Sequence, residues 1–403
     1  MEYRLGEIIT LINGYAFKSK EFVSDGIPVL KIRNVKAGAL NFANLSYVNE
    51  DYVRLKSDKV PNFGDLLITM TGNRMDGSRE TWVGKVALFE EKSTFLINQR
   101  VAILRVTDSE YIDNKYLSYL LSSPGFQEYF ISIATSSGGQ ANISPKQVKD
   151  IFVSIPDIST QKSIVNIINP FDTKIKINNQ IIATFEEIAS TLFQHWFVDF
   201  EFPDENGNPY KSNSGKMVQS ELGEIPESWG VTTLEKYVEV KYGKDHKKLA
   251  DGKYPVYGSG GVMRYVDDYL YDNESVLVPR KGTLNNVMYV HEPFWSVDTM
   301  FYTIMKKKNS AKFIYLFLDR VDLKSMNVGS AVPSMTTKIL NNMKIIQPSE
   351  NMLTNFEVTV GPMFEKIKQL HTENDKLTEL RDTLLPKLLS GEIELPVEEE
   401  VRV

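Results

Sequence analysis

At 403 residues the chain exceeds one typical core, so two domains plus connectors are expected. The absence of cysteine excludes a disulfide framework, thiolate zinc sites and cysteine nucleophiles, and four dispersed histidines without an HExxH pattern offer no metal site. A net charge of −6 excludes coating nucleic acid by bulk positive charge, though not a local basic cleft.

The first 130 or so residues read as short β-rich runs between turn signals, such as GIPVLKIRNV at 26–35 and GDLLITMTGN at 64–73. One short helix is predicted over NKYLSYLLSSPGFQEYF, 114–130. The phrase GGQANISPKQVKDIFVSIP, 138–156, then runs into a long helical pattern. Residues 202–230, rich in Pro, Gly, Asn and Ser, read as a linker. A second β-rich stretch follows, with YPVYGSGG at 254–261 and ESVLVPRKG at 274–282, then a short helix, AKFIYLFLDRV, at 311–321. The phrase GSAVPSMTTKILNNMKIIQP, 329–348, leads into a second long helix. The tail from Gly391 carries Glu392, Glu394, Glu398, Glu399 and Glu400 and reads as solvated and frayed. No apolar run reaches the ~18 residues needed to cross a bilayer, and Met1-Glu2-Tyr3-Arg4 does not begin a signal peptide. A cytoplasmic location without membrane contact is expected.

Sliding the chain against itself by 192 residues aligns 142–192 with 334–384 without a gap. Lys146 meets Lys338, Pro156 meets Pro348, Pro170 meets Pro362, and KIK at 174–176 meets KIK at 366–368. Loops tolerate insertions most easily, so a gapless match across loop and helix marks a repeat of one large unit. The expected fold class is α+β: two β-rich mixed domains separated by two long helices, related by a pseudo-two-fold repeat. The expected division is 1–155, a helix in 156–200, a linker at 201–228, a second β-rich domain at 229–347, a helix in 348–391 and an acidic tail at 392–403.

The long helices carry apolar steps of four and three, the spacing of a coiled coil. The first seam is Phe171, Ile175, Asn178, Ile182, Phe185, Ala189, Leu192 and Trp196. The second is Met363, Ile367, Leu370, Asn374, Leu377, Arg381, Leu384 and Leu388. Pro170 and Pro362 are expected to start or kink these helices. In a parallel pair Asn178 would face Leu370 and Asn374 would face Ile182, each amide buried without a partner at about 1–3 kcal/mol. An antiparallel pair sets Asn178 against Asn374, Ile182 against Leu370 and Phe185 against Ile367. An antiparallel coiled coil in that register is therefore expected, against the alternative of two amphipathic helices packed separately on their own domains. Phe171 to Trp196 spans about 39 Å at ~1.5 Å per residue, close to one turn of B-DNA at ~34–36 Å.

Catalytic patterns are weak. NPF at 169–171 lacks the second proline of an amino-methyltransferase motif, and YGSGG at 257–261 is only a fragment of a glycine-rich cofactor loop. Asp65 with Glu90, Glu91 and Lys92 fits a metal-dependent nuclease pattern no better than solvated surface charge. No phosphate loop is present, and no cofactor is expected. KDHKK at 244–248 and KKK at 306–308 read as solvated loops ahead of phosphate patches.

Polar loops remain. In the first copy they hold Lys31, Arg33, Asn34, Thr71, Asn73, Arg74, Ser78, Arg79, Lys85, Asn98, Gln99, Arg100, Gln140 and Asn142. In the second they hold Tyr257, Ser259, Arg264, Arg280, Lys281, Asn285, Asn286, Thr299, Ser330 and Ser334, with Asp298 beside them. Arginine suits guanine edges and Asn or Gln suits adenine edges in the major groove, while Lys and hydroxyls hold phosphates. For any one of these residues, ordinary loop polarity is the competing explanation.

The stretches LGEIITLINGYAFKSKEF (5–22), GIPVLKIRNV (26–35), NISPKQVKDIFVSIP (142–156), ELGEIPESWGV (221–231) and LRDTLLPKLLSGEIEL (380–395) resemble the type I restriction–modification specificity (S) subunits, the HsdS family. The resemblance implies two target-recognition domains, each followed by a spacer helix, with the helices paired antiparallel. It implies no catalysis in this chain. Each domain would read one half of a split, asymmetric double-stranded DNA target. The helices would carry two methyltransferase (M) subunits that methylate adenine with S-adenosylmethionine, and restriction (R) subunits with ATP-driven translocation would join them. The second domain departs from the pattern by offering KYGKDHKKLADGKYP at 241–255 where the first has GYAFKSKEF at 14–22. The alternative function is a protein scaffold or inhibitor of the same architecture that does not touch DNA.

Overall fold

Leu66–Thr69 is buried at every position, although strand side chains point alternately to opposite faces. Both faces are therefore covered. Leu66 and Ile68 join a core with Leu104, Leu117 and Phe130, while Leu67 joins another with Leu30, Ile97 and Ile103. Burying a Leu or Ile side chain stabilises by roughly 1.5–3 kcal/mol, so a run of this composition belongs in mid-sheet. The computed structural model describes residues 1–74, 81–137, 140–326 and 334–395. In it, Leu66–Thr69 lies between Val86–Leu88 and Val101–Val106, and Ile9–Asn13 completes an antiparallel sheet.

The chain divides into two units, Met1–Lys176 with Asn374–Val403, and Ile177–Glu373. In the first, a smaller sheet sets Leu96–Ile97 parallel to Ile27–Leu30, and Glu2–Arg4 pairs with Phe152–Ser154. The single helix expected over 114–130 is two, Asn114–Ser122 and Pro124–Ile133. Asp113 caps the first by accepting from the Lys115 and Tyr116 amides. Ser123 caps the second, with Pro124 at a first-turn position that needs no amide hydrogen.

The second unit follows the same plan. Val238–Tyr242, Met300–Met305, Ser275–Pro279 and Met288–Val290 form its antiparallel sheet, in the same spatial order as the first unit's. Trp295–Ser296 lies parallel to Asp251–Gly258, and Gly230–Thr233 pairs with Lys344–Gln347. Val276 and Val278 face one core, while Leu277 faces another with Phe294 and Tyr302. The stretch that reads as a linker is folded. Met217–Ser220 pairs with Gly223–Pro226, and Phe202 stacks on Tyr210 at 4.6 Å and on Trp229 at 4.8 Å. Phe200, Phe202, Ile225 and Trp229 are part of this unit's main core.

The long helices run Ile158–Phe197 and Glu350–Ser390. Neither begins at its proline: Pro170 and Pro362 both lie inside. A mid-helix proline costs about 3 kcal/mol, and buried Ile164 and Ile168 before Pro170, and Leu353, Phe356 and Val360 before Pro362, carry the helix through it. All sixteen predicted seam residues are buried or half-buried. The helices pair antiparallel within each unit. In the first, Arg381 Nη1 bonds Asp172 Oδ1 at 2.9 Å, and Leu388 shares a core with Ile164 and Ile168. In the second, Asn178 Nδ2 donates to Glu373 Oε2 at 2.9 Å and Trp196 packs on Phe356 at 5.6 Å. Among the helix-pairing residues, Asn178, Ile182, Leu370 and Asn374 are buried and Phe185 and Ile367 half-buried.

Candidate nucleic-acid interface

The end of each central sheet is built from the same hydrogen bonds. In the first unit the Met70 amide donates to the Arg100 carbonyl at 2.9 Å and the Ile143 amide to the Met70 carbonyl at 3.0 Å. In the second the Arg280 amide donates to the Thr299 carbonyl at 2.8 Å and the Met335 amide to the Arg280 carbonyl at 2.9 Å. The Gly14 amide reaches the Val101 carbonyl, and the Gly243 amide the Met300 carbonyl, both at 3.0 Å. A Cβ on Gly14 would collide with the Asn98 carbonyl oxygen, and one on Gly243 with the Val297 carbonyl oxygen. The backbone thus finds a counterpart for the loop opening at Gly14, although the side chains that follow differ.

This frame pairs Thr71 with Lys281, Arg100 with Thr299 and Asn142 with Ser334. In the first unit the three side chains meet. Thr71 Oγ1 donates to Asn142 Oδ1 at 2.8 Å, and Arg100 Nη1 donates to Thr71 Oγ1 at 3.0 Å and to Asn142 Oδ1 at 3.1 Å. Strand pairing joins Asn142 to Thr71, and in the second unit a bridge joins Lys281 to Ser334. Thr71 is 3% exposed, so it braces the arginine instead of reaching outward.

Several further polar loop residues are held by few bonds, and none of those is to a carboxylate. Asn73 Nδ2 donates to Thr81 Oγ1 at 3.1 Å, and Arg74 Nη2 to the Ala134 carbonyl at 2.6 Å. Gln99 and Gln140 are exposed and Asn98 is half-buried. Lys31 Nζ donates to Ser46 Oγ at 2.8 Å and lies 3.9 Å from the Phe22 ring centre; burial, then Arg33, holds its ammonium below the usual lysine range. Arg33 bonds the Asn44 carbonyl and Ser46 Oγ. In the second unit Arg280 Nη1 donates to the Asp298 carbonyl at 3.1 Å, and Lys281 is exposed. Among the described residues Arg33, Arg74, Arg100 and Arg280 make no carboxylate ion pair. By contrast, Arg105 is paired to Asp65 and Arg381 to Asp172.

Other expected contact residues are buried or engaged by partners within the chain. Asn34 is 1% exposed; its amide donates to the Asn41 and Ala43 carbonyls and accepts from the Lys31 amide, so it ties the loop from within. Lys85 is 4% exposed, its Nζ 3.5 Å from the Ile32 carbonyl. Arg264 is neutralised by Asp251 at 2.9 Å. Asn285 is occupied by Asp322 Oδ1 and the Lys324 amide, and Asn286 clamps the hairpin tip through the Ser259 carbonyl. Tyr257 is half-buried, and burial followed by Glu292 pushes its hydroxyl pKa up. Ser78, Arg79 and Ser330 lie outside the described residues, as does the tail from 396. Ser46, which anchors both Lys31 and Arg33, escapes sequence reasoning because nothing distinguishes it from any strand serine.

Asp65 is not solvated surface charge: it is 4% exposed and forms a two-bond pair with Arg105 at 2.9 and 2.7 Å. Lys306 and Lys307 are engaged with the Glu235 carbonyl and the Tyr237 ring. No cluster of metal-ligating side chains occurs among the described residues, and no described helix is long and apolar enough to cross a membrane.

A family model described as "Type I restriction modification DNA specificity domain" matches residues 1–187 and 226–352. The specificity subunit of the type I restriction enzyme HindI from Haemophilus influenzae is 30% identical, covering 69% of this chain and 77% of that protein. The putative MjaX specificity subunit from Methanocaldococcus jannaschii is 23% identical, covering 91% of this chain and 87% of that protein. The crystal structure of a type I restriction–modification S subunit from M. genitalium shares the fold with a TM-score of 0.56 at 19% identity, covering 96% of this chain and 95% of that one.

Proposed function

The chain belongs to the type I restriction–modification DNA specificity family, and from that premise we propose that its two units read the two halves of a split, asymmetric double-stranded DNA target. It is a specificity subunit and not an enzyme; adenine methylation and ATP-dependent cleavage belong to partner subunits. The long helices serve as the platform for two methyltransferase subunits, and restriction subunits join that complex in the cytoplasm. Exposed apolar side chains on those helices, Ile177, Ile188, Val358 and Leu380, support a docking role.

The observation that carries the reading is the shared frame with unlike side chains. Two copies keep the same backbone bonds and differ at the rim positions, as two readers of different sequences need. Cations held only by neutral acceptors fit partners rich in phosphate and base acceptors.

A binding titration tests this. The chain in complex with its methyltransferase subunits should bind random duplex DNA weakly, with log K falling linearly against log salt concentration. A complex with no DNA affinity across the series would favour a protein-only scaffold.

A further inference from the structure

We infer that Arg100 is a base-reading residue of the first unit, set to present a side-on fork to O6 and N7 of a guanine, with Thr71 and Asn142 as its positioning residues. This rests on the proposed DNA reading and specifies its chemistry at one position.

The guanidinium is fixed on one side only. Nη1 is anchored by Thr71 Oγ1 and Asn142 Oδ1, and those two oxygens are joined by the Thr71 hydroxyl. Nε and Nη2 make no hydrogen bond among the described residues, and the side chain is exposed. The unused Nε–H and Nη2–H donors form the planar pair that matches the two major-groove acceptors of guanine. The anchors are neutral, so the positive charge remains available to an electron-rich partner.

The backbone beneath is equally fixed. The Arg100 carbonyl accepts from the Met70 amide, and Thr71 and Asn142 face each other across a strand pair. The arginine therefore need not be ordered on binding, which lowers the entropy cost of the contact. The corresponding positions of the second unit hold Thr299, Lys281 and Ser334, which offer no guanidinium. The two half-sites are therefore unequal by construction: the first contains a G·C pair read here, and the second owes no guanine to this position.

The test uses the complex of this chain with its methyltransferase subunits, after its target has been defined by sequencing methylated adenines. Duplexes are prepared with each guanine of the first half-site replaced in turn by 7-deazaguanine, which lacks N7. One replacement should weaken wild-type binding severalfold, part of the ~5- to 150-fold carried by the whole bidentate pair, and binding by the Arg100→Ala complex should be insensitive to that replacement. Arg100→Lys should keep the salt slope but weaken the preference for that guanine, because an ammonium lacks the rigid planar fork. Thr71→Val should relax preference at the same base pair with the salt slope unchanged; Asn142→Leu gives the same readout if the threonine variant folds poorly.

Three results would overturn the assignment: a first half-site without guanine, unchanged preference at every pair in Arg100→Ala, or uniform weakening on all sequences with the salt slope reduced by about one, which marks a phosphate contact. A wild-type complex with no sequence preference at all would instead defeat the DNA reading itself.

Discussion

The two units use matched lysines differently. Lys115 and Lys312 are each the second residue of the helix packed on the central sheet. Lys115 makes one pair, to Glu90 at 2.9 Å, with both side chains partly in solvent. Lys312 has a side chain 6% exposed and reaches Glu274 at 2.7 Å and Glu357 at 2.6 Å. Burial pushes the Glu274 carboxyl up, but hydrogen bonds from Lys312 and Tyr289 outweigh it and hold it below the usual range. One backbone plan thus accepts either a peripheral ion pair or a buried lysine held by two partly exposed carboxylates. The fold is fixed by the apolar alternation and the frame hydrogen bonds, and side chains at matched positions are free to diverge.

The largest test of that contrast is Lys312→Ala. Removing the buried lysine leaves two unpaired carboxylates, and because both keep solvent contact the cost should be roughly 2–3 kcal/mol. Lys115→Ala should cost less than about 1 kcal/mol. Denaturant unfolding of the two variants would show the difference, and equal costs would erase the contrast.

Next comes the frame itself. Gly14→Ala and Gly243→Ala each force a carbonyl to move, at about 1–3 kcal/mol. Hydrogen exchange should locate each loss in its own unit, and loss in both units from one substitution would contradict independent frames.

The third difference is pH dependence. All four histidines lie in the second unit. His291 stacks on Tyr289 at 5.3 Å, and burial, then Lys368, holds its imidazole below its ordinary 6.5. The unfolded chain therefore binds the proton first. His291's contribution is constant above pH 6.5 and is lost as pH falls from there toward the lower folded value. The difference between wild type and His291→Phe should follow that course in the second unit's exchange protection, and the first unit should show no such difference.

The smallest effect should be nearly symmetric. Ser144 Oγ accepts from the Gln147 amide at 3.2 Å, and Thr336 Oγ1 from the Ile339 amide at 3.3 Å. Ser144→Ala and Thr336→Ala should each cost about 1 kcal/mol, since each removes one accepting hydroxyl and leaves the backbone bonds in place.

Much of this was legible in the sequence. The gapless alignment of 142–192 with 334–384 marked the repeat, and steps of four and three marked the seam, because both depend on spacing alone. The folded linker was not: turn residues dominate 202–230, while Phe202, Tyr210 and Trp229 are too scattered to show a period, and only the folded chain stacks them. Of the two roles expected for Pro170 and Pro362, starting a helix is excluded because both lie inside; local propensity counts the lost hydrogen bond and not the packing on either side. Among contact candidates, residue type could not separate exposed Arg74 from buried Lys85, nor reveal that Asp251 neutralises Arg264 across a hairpin. The matched trio Thr71, Arg100 and Asn142 was present as three separate polar residues; the frame that joins them is made of backbone bonds that leave no mark on side-chain identity.

One frame built twice should carry two independent readers. Methylated adenines should be sequenced in a host carrying the chain and its methyltransferase subunits, for wild type, Arg74→Ala and Lys281→Ala. A two-part target is expected, in which Arg74→Ala relaxes only one half and Lys281→Ala affects only the other. A single continuous target, or either substitution altering both halves, would contradict it.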